Sequence, residues 1–598
     1  MADSSDQREF DFEFIHLYST NIADNEQYVD LSDVWVTLEL EEDIHSPSLS
    51  ATLVLLDGSG MHEDLLGEEF IHFKYRTFVN DLTIQQTNFS EYIEEKMRVY
   101  KVLKPEPLNP STNILTIQLV SDAFLKNKRS KVFKSWGFRG GIPNRPNGVA
   151  ISEMVKDIFT DKIISYDTTS SASAIIAAAQ DGPEPKPLII EETELRNQFC
   201  ISNKTPFQAL SFLSKKSVSS NLKPVVQYSR RNGVEFKREL APAASSDGQS
   251  SIDVLNSSTF YYYETTKGYY FVSVERLFRG ILSPNPIQTL YYAPKSLAEN
   301  QAIPREQVFN MVDQYDILKT FNVLENVDNG MYSSKLITYD MQKMSFSEVN
   351  YNYIETEKVA QVQGASGTTQ VALEDESLDA VEVDDTSGVT DTGKLCSPFM
   401  DMLNYPRQKI FLKPTKFGHD VDYKVNLKAA GGLKQKDIVP DHIENTFLQR
   451  KSQLQQLENI KLAVILRGNS NRQVGDLINF VVPSKTSPEA VLEGKEPELH
   501  KFYNGNYIAT YIRHTLKKEQ QTYTTYMHLS KNSLSQKMYA ESGITSNPLP
   551  GSEETIEQEE LNQRLRQTTD GATLSRILKK ARRRNKIRQV DADVGARG

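Results

Sequence analysis

The sequence predicts a mainly β protein with α+β parts, and three observations predict it. Apolar and polar residues alternate in segment after segment over the first hundred or so residues. An aromatic stretch, FYYYETTKGYYFVSVERL at 260–277, reads as a hairpin. Alternating segments resume near residue 308 and again near 462. A chain of 598 residues exceeds what one core supports and divides into roughly three to five domains.

Phe10, Phe12 and Phe14 alternate with acids, and Val34, Val36, Leu38 and Leu40 alternate with polar residues and Trp35. Leu49, Ala51, Leu53 and Leu55 repeat the pattern before an Asp57-Gly58 turn. Strands near 70–75, 97–103 and 114–119 complete an antiparallel sandwich or barrel over residues 1–125. The basic, glycine-containing stretch LKNKRSKVFKSWGFRGGIPNRPNG then reads as solvated surface, followed by an amphipathic helix near 149–159 and a Ser-, Ala- and Pro-rich linker at 168–187.

In NKTPFQALSFLSKK (203–216), Thr205 is positioned to cap a helix, Pro206 fits its first position and Gln208 completes a capping box. Phe207, Leu210 and Leu213 share one face. The hairpin that follows places Phe260 to Tyr263 before a polar turn, whose Gly268 is free to take positive φ, and Tyr269 to Phe271 after it. Its density of rings leaves some on an outward face. They are covered by packing within a mixed domain, at 126–305, by contact with another subunit, or by a stacked sugar or nucleotide.

Between 308 and 353 the expectation is strands separated by Asn329-Gly330 and Asp340 turns. Residues 361–439 read as an acidic flexible insert and connection, with seven acids between Glu374 and Asp385. A helix near 445–459 is followed by strands at 462–466, 477–482, 507–514 and 523–529, with turns at 467–470 and 504–506. Residues 306–360 and 440–535 therefore form a second barrel-like domain. Residues 536–598 are a helical or mobile extension: a Pro548, Pro550, Gly551 linker, an acidic helix former and the basic run LKKARRRNKIRQ.

Hydrophobic residues are 38% of the chain and aromatics 9%, enough for several cores, while 68 basic against 79 acidic residues give a net charge of -11. That balance argues against a dedicated nucleic-acid binder, and gripping DNA through Lys579 to Arg588 is the weaker reading of the tail. The start, MADSSDQREF, has no leader pattern and no apolar run reaches spanning length, so assembly in a cytoplasm without stable membrane binding is expected. Cys200 and Cys396 lack partners at metal spacing and read as buried or half-buried thiols. His514 and His528 fall on neighbouring strands as cross-strand neighbours, which more often pack than bind metal. Gly137, Gly140 and Gly141 belong to a loop. Glu264 is the one carboxylate at which a polysaccharide hydrolase would be sought, its ordinary reading being a solvated turn residue. No catalytic, cofactor-binding or metal residue is assigned.

Four segments in order carry a resemblance: NKTPFQALSFLSKK, FYYYETTKGYYFVSVERL, FNVLENVDNGMYSSKLITYDMQKMSFSEVNYNY, and RGNSNRQVGDLINFVVP with KFYNGNYIATYIRHTLKKEQQTYTTYMHL. Over about residues 1–535 the chain resembles the central baseplate hub subunit of contractile-tailed, T-even-like bacteriophages. The resemblance implies two tail-tube-like β-barrel domains per chain and a homotrimeric ring that adapts a hexameric tail tube to a trimeric central spike. It also implies a channel that passes the tape measure protein and, transiently, DNA. Partners would be tail tube or tube-initiator proteins, the central spike protein and other baseplate proteins, in a virion assembled in the host cytoplasm. The hub of a phage-like contractile injection or secretion apparatus would share this architecture.

Overall fold

The computed structural model describes residues 9–19, 28–78, 91–136, 149–164, 186–193, 196–197, 199–219, 225–231, 234–241, 259–278, 288–292, 309–320, 322–340, 344–352, 409–414, 443–482 and 503–531. The protein is mainly β with α+β parts, as the sequence predicts.

The first β body comprises β1 (Phe10–Tyr18), β2 (Val29–Asp30), β3 (Trp35–Asp43), β4 (Ser50–Asp57), β5 (Phe70–Thr77), β6 (Ile93–Val102), β7 (Glu106–Asn109) and β8 (Thr112–Ser121). They lie in the order β2-β1-β5-β6-β8-β4-β3, with β7 against β8. Ile15, Leu40, Leu53, Phe73, Met97 and Ile117, one from each main strand, share a single core. A bulge between Trp35 and Thr37 re-phases β3 and brings Trp35 into that core beside Leu38 and Leu40, where unbroken alternation would turn it out.

The middle region contains α1 (Asp122–Arg129), β9 (Val132–Trp136), β10 (Val149–Ala150), α2 (Ile151–Ile158), β11 (Leu188–Glu191), β12 (Arg196–Asn197), β13 (Phe199–Lys204), α3 (Pro206–Ser214), β14 (Val225–Arg231), β15 (Val234–Ala241), β16 (Phe260–Glu264), β17 (Tyr269–Ser273) and α4 (Val274–Phe278). The basic stretch expected as plain surface thus builds α1 and β9 and buries Val132 and Trp136. α3 begins as predicted: Gln208 N–H donates to Thr205 Oγ1, and Thr205 N–H donates to Gln208 Oε1. Phe207, Leu210 and Leu213 are buried on its inner face.

The aromatic hairpin forms one end of a five-stranded sheet, β15-β14-β11-β17-β16, with β16 at its edge. No outward face is left over. Phe260, Tyr262 and Phe271 enter the core built on α2 and α3, whereas Tyr263, Tyr270 and Val272 enter the core of the second β body. Strict two-residue periodicity therefore serves two cores at once. Gly268 does not use positive φ. A Cβ there would stand 2.8 Å from Pro187 O, so glycine is required by close approach of the backbone.

The second body uses β18 (Gln288–Tyr292), β19 (Met311–Lys319), β23 (Ile460–Arg467), β24 (Leu477–Val481), β25 (Gly505–Lys517) and β26 (Thr522–Lys531). The order β25-β24-β18-β19-β23-β26 closes on itself through β25–β26 pairing, giving a six-stranded barrel. Beside it, β20 (Ser333–Asp340), β21 (Ser345–Asn352) and β22 (Ile410–Pro414) form a small sheet covered by α6 (Ile443–Leu457). Asn329-Gly330 is not a turn between strands. Residues 323–329 form a helix, α5 (Val323–Asn329), capped by Asn322 and ended by Gly330 at φ 76°. Apart from residues 409–414, the expected insert and connection at 361–439 lies outside the described residues, as do Cys396 and the extension 536–598.

One hairpin belongs to both bodies. The second half of β25 leaves the barrel and pairs residues Tyr511–Lys517 with Asp43–Thr37 of β3, so a single sheet runs from one body into the other. Leu516 and Tyr523, from the tip of that hairpin, complete the first core. Glu9 N–H, just before β1, donates to Gln521 O in its turn.

Candidate functional site

The residues that set the geometry of the molecule meet where the first body, the aromatic hairpin and the barrel converge. The loop between β23 and β24 was expected to turn between antiparallel neighbours. These two strands do not pair, and Asn469 to Val474 are buried. Ser470 N–H donates to Thr77 Oγ1 (2.8 Å) of β5, and Asn471 accepts from Glu91 N–H. Tyr270 and Thr265 of the hairpin donate to Gln473 Oε1 (3.2 and 3.3 Å). Arg472, 1% exposed, donates to Gln288 Oε1 and to the carbonyls of Arg467 and Phe309. Burial brings its pKa down to about 10. Gly475 has φ 92°, and a Cβ there would collide with Tyr263 Oη.

Carboxylates line the same junction. Glu42 of β3 is fully buried and accepts from Thr266 N–H (2.8 Å) and Val474 N–H (2.9 Å), bonding the hairpin turn and the loop to the first body. Lys186, just before β11, bridges Glu95 of β6 (2.7 Å) and Glu264 of β16 (3.1 Å). Burial raises Glu42, and it raises Glu95 to about 8 against the pull of Lys186. Contact with both acids raises Lys186 in spite of its burial. Three buried acids and one lysine thus gather at the junction, and each is tied to a neighbouring element.

Glu264 is therefore not a solvated turn residue. It is 2% exposed, accepts from Leu49 N–H and pairs with Lys186, which suits a clamp between domains better than attack on a polymer. His514 and His528 are not cross-strand partners: His514 pairs with Thr525, and His528 with Tyr511. His514 points inward and accepts or donates at Tyr523 Oη (2.8 Å), with burial and Arg472 pulling it down to about 3. His528 lies on the other face beside Tyr526. Cys200 is exposed, contrary to expectation. Gly137, Gly140, Gly141 and the run Lys579 to Arg588 lie outside the described residues. Sequence reasoning missed Glu42, Glu95, Lys186 and the buried loop. A signal existed for the acids: Glu42 follows Leu38 and Leu40 on the apolar phase, and Glu95 lies between Ile93 and Met97 on theirs.

The small sheet presents an uncovered apolar face. Phe346 is 73% exposed, Leu412 61% and Ile410 52%, and pairing places Ile337 and Tyr339 of β20 between them.

No family model and no curated protein matches the sequence. Among solved structures, the chain is similar to a tail protein from Neisseria meningitidis MC58, at 9% identity and a TM-score of 0.39, covering 88% of this chain and 97% of that one. It is similar at 7% identity and the same TM-score to the 43 kDa tail protein of prophage MuSo2 from Shewanella oneidensis, covering 87% and 99%. A Francisella PdpA-VgrG complex is similar at 8% identity and a TM-score of 0.35, covering 88% and 58%.

Proposed function

We propose that this chain is a structural, non-enzymatic component of a contractile-tail baseplate: the central hub, three copies of which form a ring between a hexameric tail tube and a trimeric spike. The observation that carries the reading is the pair of β bodies, one of eight strands and one a six-stranded barrel, locked by one shared hairpin. Two β bodies in each of three chains supply six docking surfaces around a threefold axis, which is how a trimer meets a hexamer. Such an adaptor must hold its bodies at a fixed angle. The buried loop 469–474 and the Glu42, Glu95, Glu264 and Lys186 clamp supply that constraint, and the apolar face of β20–β22 suits contact with another chain.

In this reading the ring surrounds a channel for the tape measure protein and then DNA, contacts tube or tube-initiator proteins on one side and the spike on the other, and is assembled in the host cytoplasm into the virion tail. The mass of the purified protein in solution, followed by imaging, tests it. The expected result is three times the 67.8 kDa chain mass and an annular particle. A stable monomer that binds neither tube nor spike protein would overturn the reading.

A further inference from the structure

A basic stretch lies in the middle region, on α1 and β9. Residues 122–136 hold five cations, Lys126, Lys128, Arg129, Lys131 and Lys134, against one acid, Asp122, a net +4 on a chain whose total is -11. Two of the five are committed within the fold: Lys126 to Asp122 (2.9 Å), and Lys134 to Asp157 (2.7 Å), which also accepts from the Trp136 indole. The other three, Lys128 and Arg129 at the end of α1 and Lys131 at the start of β9, are exposed and have no acidic partner among the described residues. Beside them Phe133 is 70% exposed. It stands on the opposite face of β9 from the buried Val132 and Trp136, so nothing in the core accounts for its ring.

We propose that this stretch docks an acidic segment of a partner protein, whose carboxylates meet Lys128, Arg129 and Lys131 and whose apolar side chain covers Phe133. Charge complementarity selects the class. Lys128 also lies over the Phe124 ring (5.2 Å to its centroid), and an exposed arginine beside an exposed phenylalanine matches the composition of protein interfaces, where Arg and aromatic residues are enriched. A duplex fits less well. Three free cations fall short of the roughly six to ten phosphate contacts of an ordinary DNA footprint, a phosphate backbone offers no apolar cover for Phe133, and the net charge of the whole chain opposes it. The proposal does not depend on trimer formation.

The test uses the full chain and a fluorescent peptide of about twelve residues, alternating Glu and Asp with two Leu, titrated at low and at physiological salt. Reversing the three free cations (Lys128→Glu, Arg129→Glu, Lys131→Glu together) should weaken binding at least about tenfold, the sum of three exposed charge contacts. Phe133→Ser alone should weaken it about threefold. A parallel Lys128→Ala, Arg129→Ala, Lys131→Ala variant, with melting curves for all, separates lost binding from lost folding. Peptide binding that is the same within about twofold in every variant would overturn the proposal. So would a duplex of equal charge that binds more tightly than the peptide through the same residues.

Discussion

At the scale of single residues, Glu95 makes the junction sensitive to pH. Its carboxyl holds a proton more tightly when buried than in the unfolded chain, with a pKa near 8 against an ordinary 4.5. The stabilisation from that difference is fully present below 4.5 and is lost as pH rises to about 8. Glu95→Gln keeps the shape and removes the titration, leaving Lys186 paired with Glu264 alone. The variant should melt above the unmodified chain at alkaline pH, by about 1–2 kcal/mol, and match it in acid; melting in both buffers decides it, and a lower midpoint at both would refute the account. Lys186→Met should instead cost about 3–5 kcal/mol at neutral pH, because it strands Glu264 in the interior. A second residue-scale test uses Gly475. Gly475→Ala strains a φ of 92° and collides with Tyr263 Oη, a buried atom with no hydrogen-bond partner among the described residues, so a loss of about 2–4 kcal/mol is expected. Tyr263→Phe should recover part of that loss, and purely additive effects in denaturant titrations would exclude the collision. The buried acids were half legible in the sequence: their phase within each strand is visible, but the lysine that compensates two of them comes from a stretch that reads as linker.

At the scale of elements, the start of α3 was legible because it carries its own cap. Thr205, Pro206 and Gln208 define the start of α3, and Thr205→Ala should cost about 1 kcal/mol in stability. At residues 323–329 the Asn329-Gly330 pair reads as a turn between strands, although Asn322 and Gly330 supply a cap and a stop for a helix. The hairpin of seven rings was legible as a hairpin; that both its faces are buried was not, since that depends on a second core assembled from residues about 200 positions later. Proline at Thr515 in β25 removes a ladder donor at the strand common to both bodies, and it should destabilise them together by about 3 kcal/mol or more. Hydrogen exchange that rises in only one body would contradict this.

At the scale of the whole molecule, the bodies should unfold as a unit. The β3–β25 ladder and the buried loop remove the loose linker that ordinarily lets domains melt separately. Calorimetry of the full chain should show one transition covering the β structure, whereas two well-separated ones would mean that the bodies are independent. Fold class was legible from alternation, but strand order was not. Nothing local in residues 37–43 points to residues 511–517 as their neighbours, and only a barrel strand long enough to outrun its own barrel makes the connection.

That connection also dictates timing during synthesis. β3 meets its last neighbour only when a segment about 470 residues further along has been made, which at about 5–20 residues per second is roughly 25–90 s. Through that interval the first body presents an open strand edge and a core still missing Leu516 and Tyr523. A nascent chain in this state can be captured by any other extended segment, so yield in a cell should respond more to slower growth and to chaperone supply than the stability of the finished protein would suggest.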